Sequence, residues 1–294
     1  MTAIRTKKLT KSYGRHRGIA ELDLCVHDGD FFGFIGPNGA GKSTTIRLLL
    51  GLLSPSGGTA EIFGKDIRAN REEILSQVGY LPSETAFYQG LRVRDILRLS
   101  ADLRKQDCRK EAARLCERLE LDTSRKISEL SLGNRKKAGI VCALQHKPRL
   151  YVLDEPTSGL DPLIQREFYA ILKERNNEGA TVFLSSHILS EVQRYCSYAA
   201  VIRDGRLLAA DRVENLGHTG AKRVALGGIS KPPALEGIRD IKEGSGSVSF
   251  LYSGSLQELL AALAAMPVTD VTIAEPDLEE IFLHYYERPE ASRG

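Results

Sequence analysis

The chain has 294 residues, of which 42% are hydrophobic and 27% are charged. These proportions are typical of a globular protein with a sizeable core and exclude general disorder. The formal net charge of +3 is too small to direct the chain onto nucleic acid by bulk charge alone. The longest apolar run, residues 259–266, is far shorter than the roughly 18 residues of a membrane-spanning helix, and no apolar stretch follows the basic N-terminus. We therefore expect a cytoplasmic protein.

Short apolar runs at residues 31–35, 151–153 and 181–184 are predicted to be buried strands. They alternate with segments that have helical periodicity. Strands separated by helices favour right-handed crossovers and a largely parallel sheet. The predicted fold class is therefore α/β, with helices packed on a mainly parallel sheet.

A glycine-rich loop, GPNGAGKST, follows the first of these strands and leads directly into a helical pattern. Its glycines let successive backbone N–H groups point towards phosphate oxygens, and the start of the helix adds partial positive charge. Lys42 would lie between the β- and γ-phosphates, Ser43 would offer its hydroxyl to Mg²⁺, and Thr44 would meet the α-phosphate. An ordinary glycine turn is the alternative, but it does not require a lysine and a hydroxyl at this spacing. The predicted polyphosphate-binding residues are Gly36, Pro37, Asn38, Gly39, Ala40, Gly41, Lys42, Ser43 and Thr44.

Two acidic residues, Asp154 and Glu155, come directly after the apolar strand at residues 151–153. At the end of a buried strand, Asp154 can hold Mg²⁺ directly or through water, and Glu155 can polarise a water molecule for in-line attack on a γ-phosphate. Alone, such a pair is equally consistent with a strand that ends in a solvated turn. The phosphate loop upstream favours the catalytic interpretation.

A stretch without aromatic residues separates Tyr198 from Phe250, and its middle is rich in glycine and contains Pro232 and Pro233. The loss of large core-forming side chains, together with chain-breaking residues, is typical of a domain boundary. At roughly 150 residues per domain, the chain length also favours two domains. We expect a larger domain over residues 1–215 and a small accessory α/β domain over residues 216–294.

The patterns of the second domain predict two strands and two helices. Residues 247–252 and 268–273 are predicted strands, and the helix between them begins at Ser255, which is spaced from Glu258 as in a capping box. A last helix is predicted over residues 276–287. Its apolar stripe is more typical of a core face than of a binding surface, and consists of Leu278, Ile281, Phe282 and Tyr285.

The five cysteines are odd in number, widely scattered, and contain no CxxC pair. This usage favours buried structural thiols in a reducing compartment over disulfides or a zinc site. The residues concerned are Cys25, Cys108, Cys116, Cys142 and Cys196.

Three further motifs occur in order around the acidic strand. LSLGN at residues 130–134 precedes it, SGLD at residues 158–161 follows it, and LSSHILSE contains His187. Together with the phosphate loop, this series resembles the ATP-binding-cassette (ABC) ATPases over about residues 4–211. The resemblance implies a P-loop NTPase cassette with a mainly parallel sheet and a helical subdomain.

The resemblance further implies that ATP is bound between two copies of the cassette arranged head to tail. Ser131 and the Gly133 amide of one copy would bind the γ-phosphate held by the other, because a helix N-terminus favours an anion. Asp161 would bridge the two sites. His187 would donate to the γ-phosphate or hold the attacking water, and Tyr13 would stack on adenine. A lone histidine or tyrosine is more often a packing residue, and position in the series outweighs this for His187 and only partly for Tyr13.

The sequence departs from the pattern of the family at two places. The family usually has glutamine where this chain has Ser83, and that glutamine contacts Mg²⁺ and reports the nucleotide state to the membrane partner. Serine is too short to substitute simply, so Glu84 or a water molecule would have to cover the role. The second departure puts Leu132 and Asn134 where the family usually has glycine and glutamine. The serine and second glycine of that motif are kept, which favours retained γ-phosphate binding.

Two other segments allow either a functional or a purely structural interpretation. The basic residues at 135–137 favour a solvated helix face over a nucleic-acid patch. Residues 88–105 are predicted to form an amphipathic helix, and in the family that this chain resembles the corresponding region meets the membrane subunits.

Because no spanning helix is predicted, a transporter of this type would need separate transmembrane permease subunits above a homodimer of cassettes. ATP and Mg²⁺ would close the pair, and hydrolysis would reopen it. Residues 159–192 and 276–287 look most like the ATPase subunits of drug, antibiotic or peptide exporters. We therefore expect an ATP-hydrolysing subunit of an exporter, peripheral on the inner face of the cell membrane through its permease, with no nucleic-acid partner.

The sequence is also compatible with three alternatives. A soluble ABC ATPase acting on nucleic acid or ribosomes would normally join two cassettes or insert a long coiled coil, and the sequence shows neither. A phosphate-loop kinase or GTP switch is disfavoured because the chain has no NKxD motif and no evident acceptor lid. A regulatory module that binds ATP without cleaving it stays open.

Overall fold

The computed structural model describes residues 1–14, 16–217 and 221–274. The chain divides between Arg212 and Val213 into two compact units. Within the described residues, no helix combines the length and the apolar character needed to cross a membrane.

The first unit alternates strands and helices along most of its length. Its described strands are β1 (Thr2–Tyr13), β2 (His16–His27), β3 (Phe31–Ile35), β4 (Gly57–Ile62), β5 (Lys65–Asp66), β6 (Val78–Leu81), β7 (Leu150–Asp154), β8 (Thr181–Ser186), β9 (Tyr198–Arg203) and β10 (Arg206–Arg212). Its described helices are α1 (Lys42–Leu49), α2 (Arg71–Ser76), α3 (Val93–Leu103), α4 (Arg109–Arg118), α5 (Leu132–Leu144), α6 (Pro162–Asn177) and α7 (Leu189–Tyr195), with a 3₁₀ turn at Ile127–Glu129.

The central sheet has the strand order β10-β9-β3-β8-β7-β6. Strands β9, β3, β8, β7 and β6 pair in parallel, whereas the edge strand β10 is antiparallel to β9. All residues of β3, β7 and β8 are buried, because a parallel sheet with crossover helices is covered on both faces. The predicted strands at residues 31–35, 151–153 and 181–184 are confirmed, and so is the α/β class.

A second sheet is antiparallel and has the order β2-β1-β4-β5. The sequence patterns above do not predict it. Register shifts interrupt the pairing of β1 with β2, for example between Thr6 and Leu9. Such irregularities break the two-residue alternation by which a half-buried strand is recognised. Apolar residues of this sheet, among them Leu9 and Leu22, share one core with Ile46 and Leu49 of α1.

The amphipathic helix predicted over residues 88–105 is present but shorter, as α3. The backbone N–H of Arg92, directly before α3, donates to Asp95 Oδ2 at 3.2 Å. An acidic side chain in the first turn also complements the helix dipole. The residues between β6 and α3 form turns and irregular chain, and in this stretch Tyr88 is 73% exposed.

The prediction of a solvated basic face at residues 135–137 is wrong for two of the three residues. Lys136 and Lys137 are buried in α5. The reason is tertiary packing, since α5 lies close against the chain that follows β6. A Cβ added to Gly139 would come within 2.6 Å of Thr85 Cγ2. Lys136 Nζ donates to the carbonyl oxygens of Pro82 and Ser83 in the same chain segment, so this side chain does not face solvent.

The five cysteines are all free thiols, as predicted, but not all are buried. Cys108, Cys116 and Cys196 are buried, whereas Cys142 is partly buried and Cys25 is exposed. Cys25 lies in the outer strand β2, where Leu24 and Val26 on either side point into the core. Because side chains alternate along a strand, the cysteine between them faces outwards.

The second unit contains α8 (Val213–Gly217) and α9 (Leu256–Ala264), together with an antiparallel sheet. Its strands are β11 (Lys222–Gly227), β12 (Ile238–Gly244), β13 (Ser247–Tyr252) and β14 (Asp270–Ala274), in the order β12-β13-β11-β14. Leu259 and Leu263 of α9 belong to the same core cluster as Val224 and Phe250 of the sheet. This confirms the predicted strand–helix–strand pattern over residues 247–273.

One detail of the second unit differs from the sequence-based prediction, and one predicted element lies outside the described residues. Ser255 occupies the N-cap position of α9, but its side chain makes no capping hydrogen bond, so the predicted capping box is wrong. Instead, the backbone carbonyl oxygen of Ser255 accepts hydrogen bonds from the Tyr252 hydroxyl and the Leu259 N–H. The last predicted helix, residues 276–287, lies outside the described residues.

Candidate functional site

The phosphate loop joins the end of β3 to the start of α1, as its sequence predicts. Gly41 has φ 108° at the N-cap of α1, a left-handed conformation that favours glycine. A Cβ on Gly36 would lie 2.4 Å from the carbonyl oxygen of Ile202, so only glycine fits this approach to β9. The loop therefore places a helix N-terminus at the carboxyl edge of the central sheet, where anions bind favourably.

The Lys42 side chain lies along this loop and is 4% exposed. Its Nζ donates to the carbonyl oxygens of Gly36 at 2.7 Å and Pro37 at 3.2 Å. Glu155 Oε1 lies 3.3 Å from the same nitrogen. A buried ammonium is costly unless it is paired and hydrogen-bonded, and here both conditions are met by groups at one edge of the sheet.

Asp154 ends β7 with a carboxylate that is buried. Ser185, directly opposite it in β8, donates from Oγ to Asp154 Oδ1 at 2.6 Å. The same Oγ accepts a hydrogen bond from the Glu155 N–H at 3.1 Å. One buried hydroxyl thus holds both acidic residues, one by its carboxylate and the other by its backbone.

Glu155 adopts a backbone conformation that is rare for a residue with a side chain, with φ 46°. Such a conformation is strained and persists only where its surroundings hold it. The Ser185 hydroxyl and carbonyl oxygen both accept from the Glu155 N–H. This turn directs the Glu155 carboxylate back towards Lys42.

His187 reaches the same carboxylate from the loop after β8. Its Nδ1 lies 3.4 Å from Glu155 Oε1, and its side chain is 46% exposed. Glu155 therefore lies between a buried cation, Lys42, and an accessible imidazole. These three residues, singled out from three separate motifs of the sequence, are brought together by the structure.

The LSLGN motif forms the start of α5. Ser131 is the N-cap residue and its Oγ accepts from the Asn134 N–H at 3.2 Å. A Cβ on Gly133 would lie 2.8 Å from the Gly159 carbonyl oxygen, so the motif packs tightly on the loop that contains SGLD. Leu132, one of the departures from the family pattern, is 68% exposed.

Asp161 occupies the N-cap position of α6. Its Oδ1 accepts from the backbone N–H groups of Leu163 and Ile164, both at 3.1 Å. Among the hydrogen bonds and ion pairs of the described residues, none connects Asp161 or Ser131 to Lys42. Within the described residues of one copy, these two helix starts are therefore not joined to the Lys42 group by a direct polar contact.

Tyr13, at the end of β1, is 46% exposed, and Lys11 Nζ lies 5.3 Å from its ring centroid. A Cβ on Gly18 would lie 3.1 Å from the Tyr13 ring, and a Cβ on Gly41 would lie 3.3 Å from the Gly18 carbonyl oxygen. The tyrosine and the phosphate loop therefore flank the same glycine.

The donor set for a cation consists of oxygen atoms. Among the described residues, no group of three or more histidine, cysteine, aspartate or glutamate side chains could hold a metal ion. Mg²⁺ is commonly held by one or two carboxylates together with substrate phosphates and water. The Asp154 carboxylate and the Ser43 hydroxyl fit this chemistry, because both are hard oxygen ligands.

At Ser83, where the sequence departs from the family pattern, the contact shown by the structure is made by the backbone and not by the side chain. The Ser83 carbonyl oxygen accepts from Lys136 Nζ at 2.9 Å. Glu84 is exposed, and Ser83 is partly buried. The contact partner, Lys136, is a residue whose burial the sequence does not reveal.

Ser185 is the residue of this site that the sequence analysis missed. A serine within a buried strand does not by itself indicate a functional role. Its partners are separated from it by the whole of α6, and only the pairing of β7 with β8 reveals them. The sequence feature that points to Ser185 is its position two residues before His187 in the LSSHILSE motif.

A protein-family model described as ABC transporter matches residues 19–158. The chain is also 35% identical, over 300 aligned positions, to the bacitracin transport ATP-binding protein BcrA of Bacillus licheniformis, with 96% of each chain covered. This chain belongs to the ABC transporter ATP-binding proteins. The Nod factor export ATP-binding protein I of Cupriavidus pinatubonensis is 33% identical to this ABC ATPase, and the match covers 96% of the chain and 90% of the relative.

The fold of the ABC ATPase is likewise that of its relatives. A solved structure of an ATP-binding subunit of an ABC transporter matches it with a TM-score of 0.68 at 32% identity, covering 73% of this chain and 92% of that one. The resemblance to a P-loop NTPase cassette is confirmed. The chain is an ATPase whose hydrolysis of ATP is coupled to transport.

Proposed function

We propose that this ABC ATPase is the motor subunit of an exporter and works as a head-to-tail homodimer beneath separate permease subunits. The observation that carries the proposal is the position of the Glu155 carboxylate, 3.3 Å from Lys42 Nζ and 3.4 Å from His187 Nδ1. Relatives covering nearly the whole chain are named for bacitracin transport and Nod factor export. The same proposal places the chain on the inner face of the cell membrane, held there by its permease.

ATP binds through its phosphates to the loop at residues 36–44. Backbone N–H groups at the start of α1 meet the phosphate oxygens, and Lys42 supplies the positive charge for the β- and γ-phosphates. In the structure the Lys42 ammonium is held by two carbonyl oxygens and by Glu155. Phosphate oxygens replace these contacts, so binding ATP also releases the Glu155 carboxylate from its cation. Tyr13 stacks on the adenine ring.

Hydrolysis requires a base beside the γ-phosphate. Glu155 accepts a proton from water as the water oxygen bonds to the γ-phosphorus, the bond to the β–γ bridging oxygen breaks, and ADP and phosphate are formed. His187 orients this carboxylate or donates to the γ-phosphate. Asp154 and Ser43 would hold Mg²⁺, which when bound supplies positive charge that neutralises the phosphate oxygens.

The dimer completes each site with the turn at Ser131 and Gly133 of the other copy. This turn is the exposed start of α5, with backbone N–H groups and the positive end of the helix dipole. Asp161 lies at the start of α6 beside it and bridges the two sites. Cleavage of the γ-phosphate removes contacts that hold the copies together, so ATP binding closes the dimer and hydrolysis reopens it.

The proposal is tested by phosphate release from the purified chain, with and without the detergent-solubilised membrane partner that co-purifies with it. We expect turnover that depends on Mg²⁺ and is stimulated by the partner. ATP binding without phosphate release under either condition would support a regulatory module instead. Stimulation by DNA or ribosomes, and none by the membrane partner, would support the non-transport alternative.

A groove between α2, α3 and the chain around residue 88 is the proposed docking site of the permease. It has a volume of about 1010 Å³. Its lining includes Tyr88, Leu99 and Leu103, which are 73%, 40% and 78% exposed. Exposed apolar side chains gathered in one groove are typical of a partner surface. The resemblance of this region to the one that meets the membrane subunits in this family supports the permease as the partner.

We expect Leu103→Glu to weaken the co-purification of the permease at least tenfold, because a charge placed against an apolar interface is costly. The matched control is Leu260→Glu, which changes an exposed leucine of the second unit, 50% exposed. Quantitative pull-down from detergent-solubilised membranes measures the effect. Equal permease recovery with both variants would contradict this docking site.

Ser185→Ala is expected to lower kcat for ATP about tenfold while the chain stays folded. The change removes the donor to the buried Asp154 Oδ1 and one of the two acceptors of the Glu155 N–H, whose bond to the backbone carbonyl oxygen of residue 185 remains. An unsatisfied buried group costs roughly 1–3 kcal/mol. Thr181→Ala is the control, because its hydroxyl accepts from Gly29 N–H at the other end of β8. Steady-state turnover and thermal unfolding of both variants separate a loss of positioning from a loss of stability.

A further inference from the structure

Lys136 of α5 has its ammonium group in the interior of the first unit. The residue is 3% exposed, and Nζ donates to the carbonyl oxygens of Ser83 at 2.9 Å and Pro82 at 3.1 Å. A buried cation is costly unless it is hydrogen-bonded or paired. Here the acceptors belong to irregular chain, so the position of that chain and the position of the ammonium depend on each other.

The chain that Lys136 holds, residues 82–88, is called the 82–88 segment. It begins directly after Leu81, the last residue of β6, which is paired with Leu153 of the parallel strand β7. Asp154 and Glu155 follow Leu153 in sequence. Since neighbouring parallel strands end at the same edge of a sheet, the 82–88 segment leaves the sheet beside the two carboxylates.

The charge of Lys136 is influenced by the same two acids. Burial lowers the pKa of Lys136 to about 8, while the negative charges of Asp154 and Glu155 act in the opposite direction and stabilise the ammonium. The cation that holds the 82–88 segment is therefore attracted towards the carboxylates. A change in charge at Glu155 alters the electrostatic balance at Lys136.

The packing around this cation leaves little room for independent movement. One turn after Lys136, a Cβ on Gly139 would lie 2.6 Å from Thr85 Cγ2 and 3.0 Å from Leu81 Cδ1. Close packing of this kind transmits displacement rather than absorbing it. The 82–88 segment also includes Tyr88, which lines the groove proposed for the permease.

We propose that Lys136 is a positioning residue that couples the 82–88 segment to the hydrolytic carboxylates. Its ammonium holds the segment by two backbone carbonyl oxygens and is attracted by Asp154 and Glu155. Displacement of the segment by a docked permease shifts the cation relative to Glu155 and changes the rate of hydrolysis. Because coupling is reciprocal, a change at Glu155 loosens or tightens the segment. This proposal rests on the proposed catalytic role of Glu155.

The first test compares Lys136→Met with Lys137→Met in the full chain. Lys137 is the next residue of the same helix and is also buried, which makes it a matched control. We expect Lys136→Met to accelerate amide hydrogen exchange in the 82–88 segment about tenfold and to lower kcat for ATP about tenfold, with KM within about twofold. Lys137→Met is expected to leave the exchange of the 82–88 segment unchanged.

The second test is a double-mutant cycle in the nucleotide-free chain, read out by hydrogen exchange alone. With Lys136 present, Glu155→Gln is expected to change exchange in the 82–88 segment at least threefold, because it removes an anion that attracts the ammonium. With Lys136→Met, the same glutamine substitution is expected to have no effect on the segment. A residue that only fills space would show the same response to Glu155→Gln in both backgrounds.

The outcomes separate this proposal from the proposed function. Equal exchange changes in the two backgrounds would overturn the coupling role of Lys136, even if Glu155→Gln stops hydrolysis. Normal turnover by Glu155→Gln would overturn the catalytic role of Glu155 and leave the exchange cycle standing. If Lys136→Met does not fold by circular dichroism, the cycle uses Lys136→Gln, which can donate hydrogen bonds but lacks the charge, and the same criterion applies.

Discussion

Glu155→Gln is expected to lower ATP turnover by about 10²–10⁴-fold, the range that general-base catalysis contributes. Glutamine keeps the shape of the side chain and can keep the turn at φ 46°, but it cannot take a proton from water. The substitution also removes the anion that lies 3.3 Å from Lys42 Nζ. The buried Lys42 ammonium then has no carboxylate competing with the phosphates of ATP, so nucleotide binding is retained or strengthened.

The variant should therefore accumulate as an ATP-bound dimer. Size-exclusion chromatography with ATP and Mg²⁺ detects the shift from monomer to dimer, and phosphate release measures the lost turnover. Glu117→Gln, an exposed glutamate of α4, is the charge-matched control and should behave as the unchanged chain. A Glu155→Gln chain that stays monomeric and hydrolyses ATP at the normal rate would remove Glu155 from the proposed mechanism.

The parts of this site that the sequence predicts are those whose residues are neighbours along the chain. The loop at residues 36–44 combines strand, glycines, lysine and helix start in one stretch, and each part constrains the next. Asp154 and Glu155 are found because a parallel strand buried on both faces reads as a continuous apolar run that stops at the sheet edge. Lys42, Glu155 and His187 follow the strands β3, β7 and β8. Their clustering can be predicted once these strands are known to be neighbours in the sheet.

The parts that the sequence does not predict depend on contacts between distant segments. Ser185 matters only because β8 lies beside β7 with Ser185 opposite Asp154. Lys136 lies within a run of three basic residues, a pattern typical of a solvated surface, and tertiary packing overrides this pattern. The antiparallel sheet of β1 and β2 escapes detection because its register shifts disturb the alternation of its side chains.

Lys42→Ala is expected to weaken ATP binding by about 10–100-fold, since a hydrogen bond to a charged group contributes roughly 1.5–3 kcal/mol. The alanine removes the ammonium that serves the phosphates, and it leaves Glu155 without the cation at 3.3 Å. An unpaired carboxylate beside the loop repels the phosphates, which adds to the loss. The fold should survive, because the Glu155 side chain is 22% exposed and water can reach it.

Isothermal titration calorimetry with ATP measures this loss, and Lys173→Ala, at an exposed lysine of α6, controls for the removal of one positive charge. The double variant Lys42→Ala, Glu155→Gln separates the two contributions. Because the glutamine removes the repelling anion, the double variant should bind ATP more tightly than Lys42→Ala alone, while remaining weaker than Glu155→Gln. If Lys42→Ala and the unchanged chain bind ATP equally, the phosphates do not lie along the loop at residues 36–44. In that case the Lys42–Glu155 contact belongs to the fold rather than to the nucleotide site.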